Sequence, residues 1–555
     1  MPSLAVLAPI LIPLLAAGVT TAAGLSGLKP GRIVAGVGAW GAVVALLVLW
    51  VPVRSTLELN LGPVGPSALD IRIDAFDVRI DAVAFAFGLI VLVPSAILLT
   101  LQPRTWQEAT LAALGVAAAM AAVEAGGVVL TALAGGTAAT LAVVQLDTED
   151  IRAPRPPWGM LLAAWLALSW AGAILQVKAG TAVYAAVPVS ALTIPVFLLV
   201  AGAALAASGL FPWRPWPAQL WARPSLRAAG MTVATLYPLG FYLLVRAYEL
   251  GDGRYPDPRF SAGLASLGAL VAFGAAVRAQ SAVTRREFLG DVIPGFGGFA
   301  LMGVALGTPL GLVAGLITLA TAGALTAAIS LLPDRAGPAS LITIAAAAGL
   351  PPGLAFGSRV IGIEATFESG DFLGLIGIAG VAAWVVWMVA AARAIGLPAG
   401  RGHAASETFP AVSAVIAAVT LVAGPALAAF QSVFANPAQA DVMPSVAGFG
   451  GGLQSVVTVS TVLPAVTLFA PLLLIAILAY TAAGAAGARG QPRPALFELP
   501  GSDALARARE AVRRAAVPEQ YRSIVNPRAL EAAASGGRPV LWLAALVALA
   551  FAVTR

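Results

Sequence analysis

Two charged residues within or beside apolar segments are the candidates for site chemistry in this chain. Arg359 lies in the run GLPPGLAFGSRVIG, and Glu124 ends an apolar run that begins near residue 108. A charge inside a bilayer is costly, so it is usually paired or placed in a wet cavity. Arginine stays protonated under essentially all conditions, so Arg359 can act as a fixed charge but not as a proton carrier. Glu124 can exchange a proton, but its position favours a boundary residue without a special role; a shifted functional role stays open.

Most other site chemistries lack the residues that they need. The chain has no cysteine, which excludes disulfides and thiolate metal sites, and its one histidine, His403, falls in a polar stretch. Lysine occurs only at Lys29 and Lys178. There is no Gly-rich nucleotide loop, metal-ligand cluster or nucleophile constellation. We therefore expect no catalytic residue, metal or cofactor in this chain, and any electron transfer must be carried out by other chains.

Two proline-interrupted apolar segments provide the elements that would position an ion path. The first reaches Pro212, passes through a Trp-Arg-Pro-Trp turn and re-enters an apolar run that ends at Arg246. The second contains Pro351 and Pro352. Paired breaks of this kind are typical of transport pathways between inverted repeats, because broken helices free backbone groups and create cavities for water or ions.

Composition places the whole chain in the membrane. Its 555 residues are 59% hydrophobic and 10% charged, with a mean hydropathy of +0.92, and its apolar runs repeatedly exceed the length of a bilayer crossing. The sequence predicts an all-α polytopic membrane protein with about 14 to 16 transmembrane helices. The basic excess of +6 indicates cytoplasmic loops and anionic lipid rather than a nucleic-acid partner. The excess is concentrated in loops after odd-numbered spans, which predicts a plasma or inner membrane protein with its N-terminus outside.

The spans and polar segments group into six predicted regions. These are N-terminal helices at 1–107, a first repeat at 108–246, a second, inverted repeat at 262–396, additional helices at 397–485, a cytoplasmic polar segment with a short helix at 486–537, and a C-terminal helix at 538–555. Residues 56–80 alternate apolar and polar side chains, which predicts a short hairpin outside the membrane. A charge cluster at a span boundary is expected to be structural and solvated on the cytoplasmic side; it comprises Arg285, Arg286, Glu287 and Asp291.

Several local patterns resemble one family of membrane subunits. Asp81, in FDVRIDAVAFAF, sits where that family carries an aspartate that opens its third helix. Pro212, Arg214 and Trp216 resemble its Pro-x-His-x-Trp turn after the broken seventh helix. In VRAQSAVTRREFLGDVIPGFGGFALMGVALG, a basic-rich connection enters a Gly-containing helix, with Arg286 at the usual lysine.

The strongest of these patterns is GLPPGLAFGSR, which resembles Gly-x-Pro-Pro-x-x-Gly-Phe-x-x-Lys of a broken twelfth helix, with Arg359 on the lysine. The family comprises the antiporter-like subunits of respiratory complex I (NADH-quinone oxidoreductase), energy-converting membrane-bound hydrogenases and multisubunit cation/proton antiporters. The resemblance covers roughly residues 76–396. It implies two inverted five-helix repeats with breaks near Pro212 and Pro351, and neighbouring membrane subunits as partners.

The departures from the family concern its proton relay. Alignment places Thr137 at the glutamate of the fifth helix, Ala207 at the lysine of the seventh, and Pro238 at the lysine of the eighth. Water held by Thr137 and Ser208 could form a wire, but without a titratable station a moving proton faces a desolvation barrier of several kcal/mol. The ion-path candidates are therefore Arg359, Glu124, Thr137 and Ser208, in a channel that is degenerate.

Two functions are consistent with the sequence. The first is a non-catalytic subunit in the proton-translocating arm of a complex I-like or hydrogenase-like respiratory assembly. The second is a stand-alone secondary transporter of a small solute or ion. Adjacent genes for quinone-reductase or hydrogenase subunits would favour the first, and a functional partner-free monomer would favour the second.

Overall fold

The computed structural model describes residues 4–28, 31–60, 77–102, 105–149, 158–210, 215–221, 223, 225–332, 337–398 and 409–443. Its helices run in chain order as α1 (Ala8–Leu25), α2 (Gly31–Trp50), α3 (Ala82–Leu101), α4 (Trp106–Val123), α5 (Val128–Glu149), α6 (Trp158–Ala179), α7 (Ile194–Ala207), α8 (Trp216–Leu220), α9 (Arg227–Leu250) and α10 (Pro258–Ser281). They continue as α11 (Arg285–Gly290), α12 (Val292–Ala305), α13 (Pro309–Ser330), α14 (Pro338–Ala348), α15 (Leu354–Glu368), α16 (Asp371–Ile395), α17 (Pro410–Val422), α18 (Leu427–Phe430) and α19 (Asn436–Val442).

The helix content confirms the predicted all-α polytopic membrane protein. Within the described residues, 11 helices are long and apolar enough to cross a membrane, or 12 if the pair Pro410–Val422 and Gly424–Val442, bent by 58°, counts as one span. The shorter apolar helices α7 and α14 belong to the two interrupted segments. The predicted spans near 457–485 and 538–554, and the polar segment 486–537, lie outside the described residues.

Capping side chains fix where several helices begin. Asp81 accepts a hydrogen bond from the Ala84 amide at 2.7 Å and so opens α3. Thr284 accepts from the Glu287 amide at 3.2 Å, while the Glu287 carboxylate accepts from the Val283 amide at 3.0 Å, a reciprocal arrangement that opens α11. These contacts satisfy amide groups that have no partner inside the helix.

The two ends of the hairpin predicted outside the membrane form paired strands. Strand β1 (Leu57–Asn60) pairs antiparallel with β2 (Asp77–Ile80), with Leu57 opposite Ile80. A single bridge between Val78 and Ala125 joins β2 to the turn after α4. The hairpin therefore covers the loop that holds Glu124.

The order of elements in residues 106–250 recurs in residues 258–395. Each series has three long spans, then an interrupted span, then a fifth long span. Five is an odd number of crossings, so the second series starts on the membrane face opposite to the first. This order agrees with the predicted inverted repeats, whose exact boundaries stay a prediction.

Candidate functional site

The second helix break is held together by Arg359. Helix α14 ends at Ala348, and Gly349 follows in the left-handed conformation with φ of 72°. The carbonyl groups at a helix C-terminus lack partners within the helix. The guanidinium of Arg359 donates to the carbonyl of Ala348 at 2.7 Å and to that of Ala347 at 3.3 Å. A side chain at Gly349 would lie 2.4 Å from this guanidinium and displace it, and the positive backbone angle favours glycine.

Aromatic rings enclose the same guanidinium. The ring centroids of Phe296, Phe299 and Trp384 lie 4.9, 4.8 and 5.7 Å from its central carbon. Trp384 also donates to the Ala348 carbonyl at 3.2 Å, and Trp387 donates to that of Ala347 at 2.7 Å. Ring faces attract cations, and they cost less to bury than polar groups do. The cation is therefore enclosed by π faces and carbonyl dipoles.

Arg359 is only 2% exposed. In the described part of the chain no carboxylate pairs with it, Glu364 included. Its Nε has no hydrogen-bond partner there either. A buried guanidinium without a counter-ion is uncommon, and it sets Arg359 apart from Arg79 and Arg246, which both pair with Asp81.

The first helix break places Ser208 at a helix junction. Ser208 follows the last residue of α7, is fully buried, and donates to the carbonyl of Tyr237 on α9 at 2.7 Å. A Cβ at Gly240 would lie 2.2 Å from both the Ala204 carbonyl and the Ser208 hydroxyl. The end of α7 thus packs directly on the α9 backbone, and Ser208 fixes this contact. Pro212 lies outside the described residues.

The ion-path candidates do not come together as a set. Thr137 is exposed on α5, and its hydroxyl donates to the Leu133 carbonyl of its own helix at 2.8 Å. Ala207, at the end of α7, is buried. No hydrogen bond joins Thr137, Ser208 and Arg359 among the residues that the structure describes. A path through the interior of this chain would therefore not include Thr137.

Glu124 lies at a helix end, as expected, but is fully buried rather than exposed at a boundary. It follows the last residue of α4, and the hairpin covers it because the Arg79 amide donates to its backbone carbonyl at 2.8 Å. Neither carboxylate oxygen has a hydrogen-bond partner in the described structure. Burial raises the pKa of Glu124 well above its usual range, which favours the neutral acid.

The cluster of Arg285, Arg286, Glu287 and Asp291 was expected to be structural and solvated; the structure buries Asp291 and partly buries Arg285 and Arg286. Arg285 donates to the carbonyls of the last two residues of α16 at 3.2 and 2.6 Å, and Arg286 donates to the Trp221 carbonyl after α8 at 3.0 Å. Asp291 is 8% exposed. Arginines near a helix C-terminus satisfy free carbonyls and interact favourably with the helix dipole. The cluster therefore ties together the ends of several helices.

A buried ion network on the hairpin side was not predicted from the sequence, where Arg246 is only the end of an apolar run. Arg246 is 1% exposed and forms a two-pronged pair with Asp81 at 2.7 and 3.0 Å. It also contacts Glu249 at 2.6 Å, and Arg79 contacts Asp81 at 3.1 Å and Glu249. Two cations and two carboxylates give a neutral network. The available signal was the spacing of Arg246 and Glu249 on one helix face, together with Asp81 opening α3.

Residues on other elements also lie against this network. Burial alone would raise the pKa of Asp81, but the guanidinium groups of Arg246 and Arg79 outweigh it and hold that pKa below its usual range. The Tyr184 ring lies 5.4 Å from the Arg246 guanidinium. Asp441 on α19 accepts from the Ala82 amide at 2.8 Å. The network thus joins β2, α3, α9 and α19.

A cleft lies near the other ends of α3 and α9, where the sequence had indicated no site. It is small and is lined by Leu98, Leu99, Gln102, Glu108, Ala112, Gln145, Glu149, Arg227, Ala228 and Met231. Arg227 contacts Glu108 and Glu149, each at 3.4 Å. The cleft is thus bordered by carboxylates that are already paired.

Comparison with known proteins gives matches at the level of structure. No family model matches the chain, and no curated protein matches it. A chain in the structure of the Mrp complex from Dietzia sp. DQ12-45-1b is similar, with 20% identity and a TM-score of 0.64 over 92% of this chain. This chain spans 63% of the length of that one.

Two further structures are similar over most of the chain. One is the membrane-bound sulfane sulfur reductase, an archaeal respiratory membrane complex, with 18% identity, a TM-score of 0.61, and coverage of 75% of this chain and 74% of the other. The second is respiratory complex I from Thermus thermophilus, with 19% identity, a TM-score of 0.63, and coverage of 80% and 99%. At identities this low, the structural similarity establishes the fold alone. The chain therefore has the fold of the antiporter-like membrane subunits, as the resemblance of its motifs predicted.

Proposed function

We propose that this chain is an antiporter-like membrane subunit of a complex I-like or membrane-bound hydrogenase-like respiratory assembly, and that its own proton route is degenerate. The shared fold with the three complexes above supports the first part. It acts without a catalytic residue of its own and sits in the plasma or inner membrane, with its N-terminus outside by the distribution of basic loop residues. Its partners are the other membrane subunits of the assembly.

One observation carries the second part: three of the helices that pack around Arg359 lack groups that exchange protons. Helices α12, α13 and α14 contain no Asp, Glu, His, Lys, Arg or Tyr. Arg359 itself stays protonated near neutral pH. A proton crossing this region would have no station at which to rest, and moving it through an apolar interior costs several kcal/mol. The second repeat therefore serves as a scaffold rather than as a channel.

The first repeat supports the same conclusion. The relay positions there hold Thr137, which faces outward, and Ala207 and Pro238, which carry no titratable group. Glu124 is the exception, because it is a buried carboxyl without a partner in the described structure. It lies at the end of α4 beneath the hairpin and thus near one membrane face, so a single station there does not make a path.

The test of assembly is purification from native membranes under mild detergent. We expect a tagged copy of the full chain to co-purify with several other integral membrane subunits in a stable ratio. A tagged, unrelated polytopic protein from the same membranes serves as the control and should bring none of them. Recovery of a monodisperse, partner-free protein would favour the stand-alone transporter instead.

A further inference from the structure

The charge of Arg359 is left without an ionic partner by the helices that surround it. Helix α15 packs against α12, α13, α14, α16 and α17. Of these, only α16 carries ionisable residues, Asp371 and Arg393, and both lie at its ends. On α15 itself, Glu364 and Glu368 follow Arg359 by more than one turn, and neither pairs with it in the described structure.

The groups that do contact the guanidinium compensate its charge only in part. The end of α14 contributes at most about half a negative charge through its aligned peptide dipoles. The three aromatic rings contribute quadrupoles and no net charge. A net positive charge therefore remains at the guanidinium. Arg359 is almost completely shielded from water there.

The depth of this charge follows from the length of α14. Helix α14 has 11 residues, which corresponds to a rise of about 16 Å at 1.5 Å per residue. A hydrocarbon core is about 30 Å thick. Since the Arg359 guanidinium binds the last carbonyls of α14, it lies about half a core thickness from the start of that helix, which corresponds to mid-bilayer where α14 starts at the membrane surface.

We propose that Arg359 is an electrostatic barrier that keeps protons and metal cations out of the second helix break. A fixed positive charge at low dielectric repels another cation strongly, and some channels exclude protons with an arginine in this way. The barrier prevents the interrupted helix, with its free backbone groups, from becoming a leak across an energised membrane. This inference rests on the proposed function and adds to it that the chain prevents a cation leak.

The test measures passive proton flux through the intact assembly in liposomes. The purified complex is reconstituted without an electron donor, a potential is set with potassium and valinomycin, and internal pH is followed with pyranine. The variant Arg359→Gln removes the charge and retains a polar amide. We expect its proton flux to exceed that of the wild type at least tenfold.

Arg393→Gln is the matched control. Arg393 also donates to a helix-end carbonyl, that of Gln280 in the last turn of α10, at 2.7 Å. It lies at the end of α16 rather than at mid-bilayer. We expect wild-type flux from this variant. Equal leaks in both variants would show general loosening of helix ends and overturn the barrier, as would an assembled Arg359→Gln complex with unchanged flux.

Arg359→Lys keeps the proposal testable if the glutamine variant does not assemble. A protonated lysine retains the charge, so its flux should match that of the wild type at about pH 6 and rise towards about pH 9, because burial lowers the pKa of a lysine. A flux at about pH 6 well above that of the wild type, in an assembled Arg359→Lys complex, would overturn the barrier. Failure to co-purify with partners would instead refute the assembly, and the flux of the isolated chain would still report on the barrier.

Discussion

At the scale of single residues, several buried or partly buried arginines of this protein act as structural cations. Arg223, Arg285, Arg286, Arg359 and Arg393 each donate to a backbone carbonyl at or just beyond the end of a helix. The contacts suit a planar, permanently charged group with several donors. Lysine could carry a proton at such positions, whereas arginine holds the helix ends in place.

Asp81 offers a test of the buried ion network. Asparagine at this position keeps the capping hydrogen bond that opens α3 but loses the pair with Arg246. Breaking one partner of a buried pair typically costs about 3–5 kcal/mol, so we expect Asp81→Asn to lower the thermal unfolding midpoint of the purified protein clearly. Asp257→Asn is the control, because Asp257 caps α10 through the Arg259 amide without an ion pair in the described structure. It should leave the midpoint almost unchanged.

The pH dependence of this effect has a definite sign. The pKa of Asp81 is held below its usual range in the folded protein. Its contribution to stability is therefore complete above the unfolded-state pKa of about 4 and is lost as pH falls through the folded-state value. The stability difference between wild type and Asp81→Asn should shrink in that acidic range. A difference that stayed constant down to about pH 3 would argue against the ion pair.

At the scale of elements, close backbone contacts hold the helices together. Gly- and Ala-rich segments such as 114–146 and 295–330 favour close helix contacts. In the second segment, Gly298 of α12 faces α10, where a Cβ at Gly268 would lie 2.5 Å from the Met302 amide nitrogen. Small residues here let the two backbones approach closely.

Gly268→Ala tests this contact against a matched position on the same helix. The added methyl group meets backbone that cannot give way, so we expect a loss of about 1–3 kcal/mol, read as a lower unfolding midpoint and yield. Gly263→Ala has nothing within 4 Å of its new methyl group and should be neutral or slightly stabilising, since alanine favours helices. Equal effects of the two substitutions would contradict close packing of α10 on α12.

The helix breaks show what a sequence can and cannot reveal about an element. The prolines at 351 and 352 predicted an interruption, because proline lacks an amide proton and disfavours helix before it. The structure ends α14 at Ala348. The partners of Arg359 were not predictable, because they come from a carbonyl 11 residues back and from rings on α12 and α16. Periodicity carries no information on such contacts.

At the scale of the whole molecule, hydropathy and the order of motifs were sufficient to predict the class and the fold. Long apolar runs predicted the helices, and the two proline-interrupted segments predicted the paired breaks. The ion network was not predicted, since it joins Asp81 to Arg246, 165 residues away, and its neighbour Ala82 to Asp441, 359 residues away. No local pattern specifies such pairs in a single sequence. The inward or outward direction of Thr137 likewise depended on packing that only the structure shows.

The central claim is that the assembly moves no protons through this chain. Glu124 tests it most directly, because its buried and unpartnered carboxyl is the best remaining proton station in the described structure. The measurement is the number of protons moved per electron pair by the intact complex in liposomes, compared between wild type and Glu124→Gln at equal assembly. We expect the same number of protons per electron pair for both. A lower number for Glu124→Gln, with assembly intact, would show that a relocated proton path runs through this chain and would contradict the proposed degenerate channel.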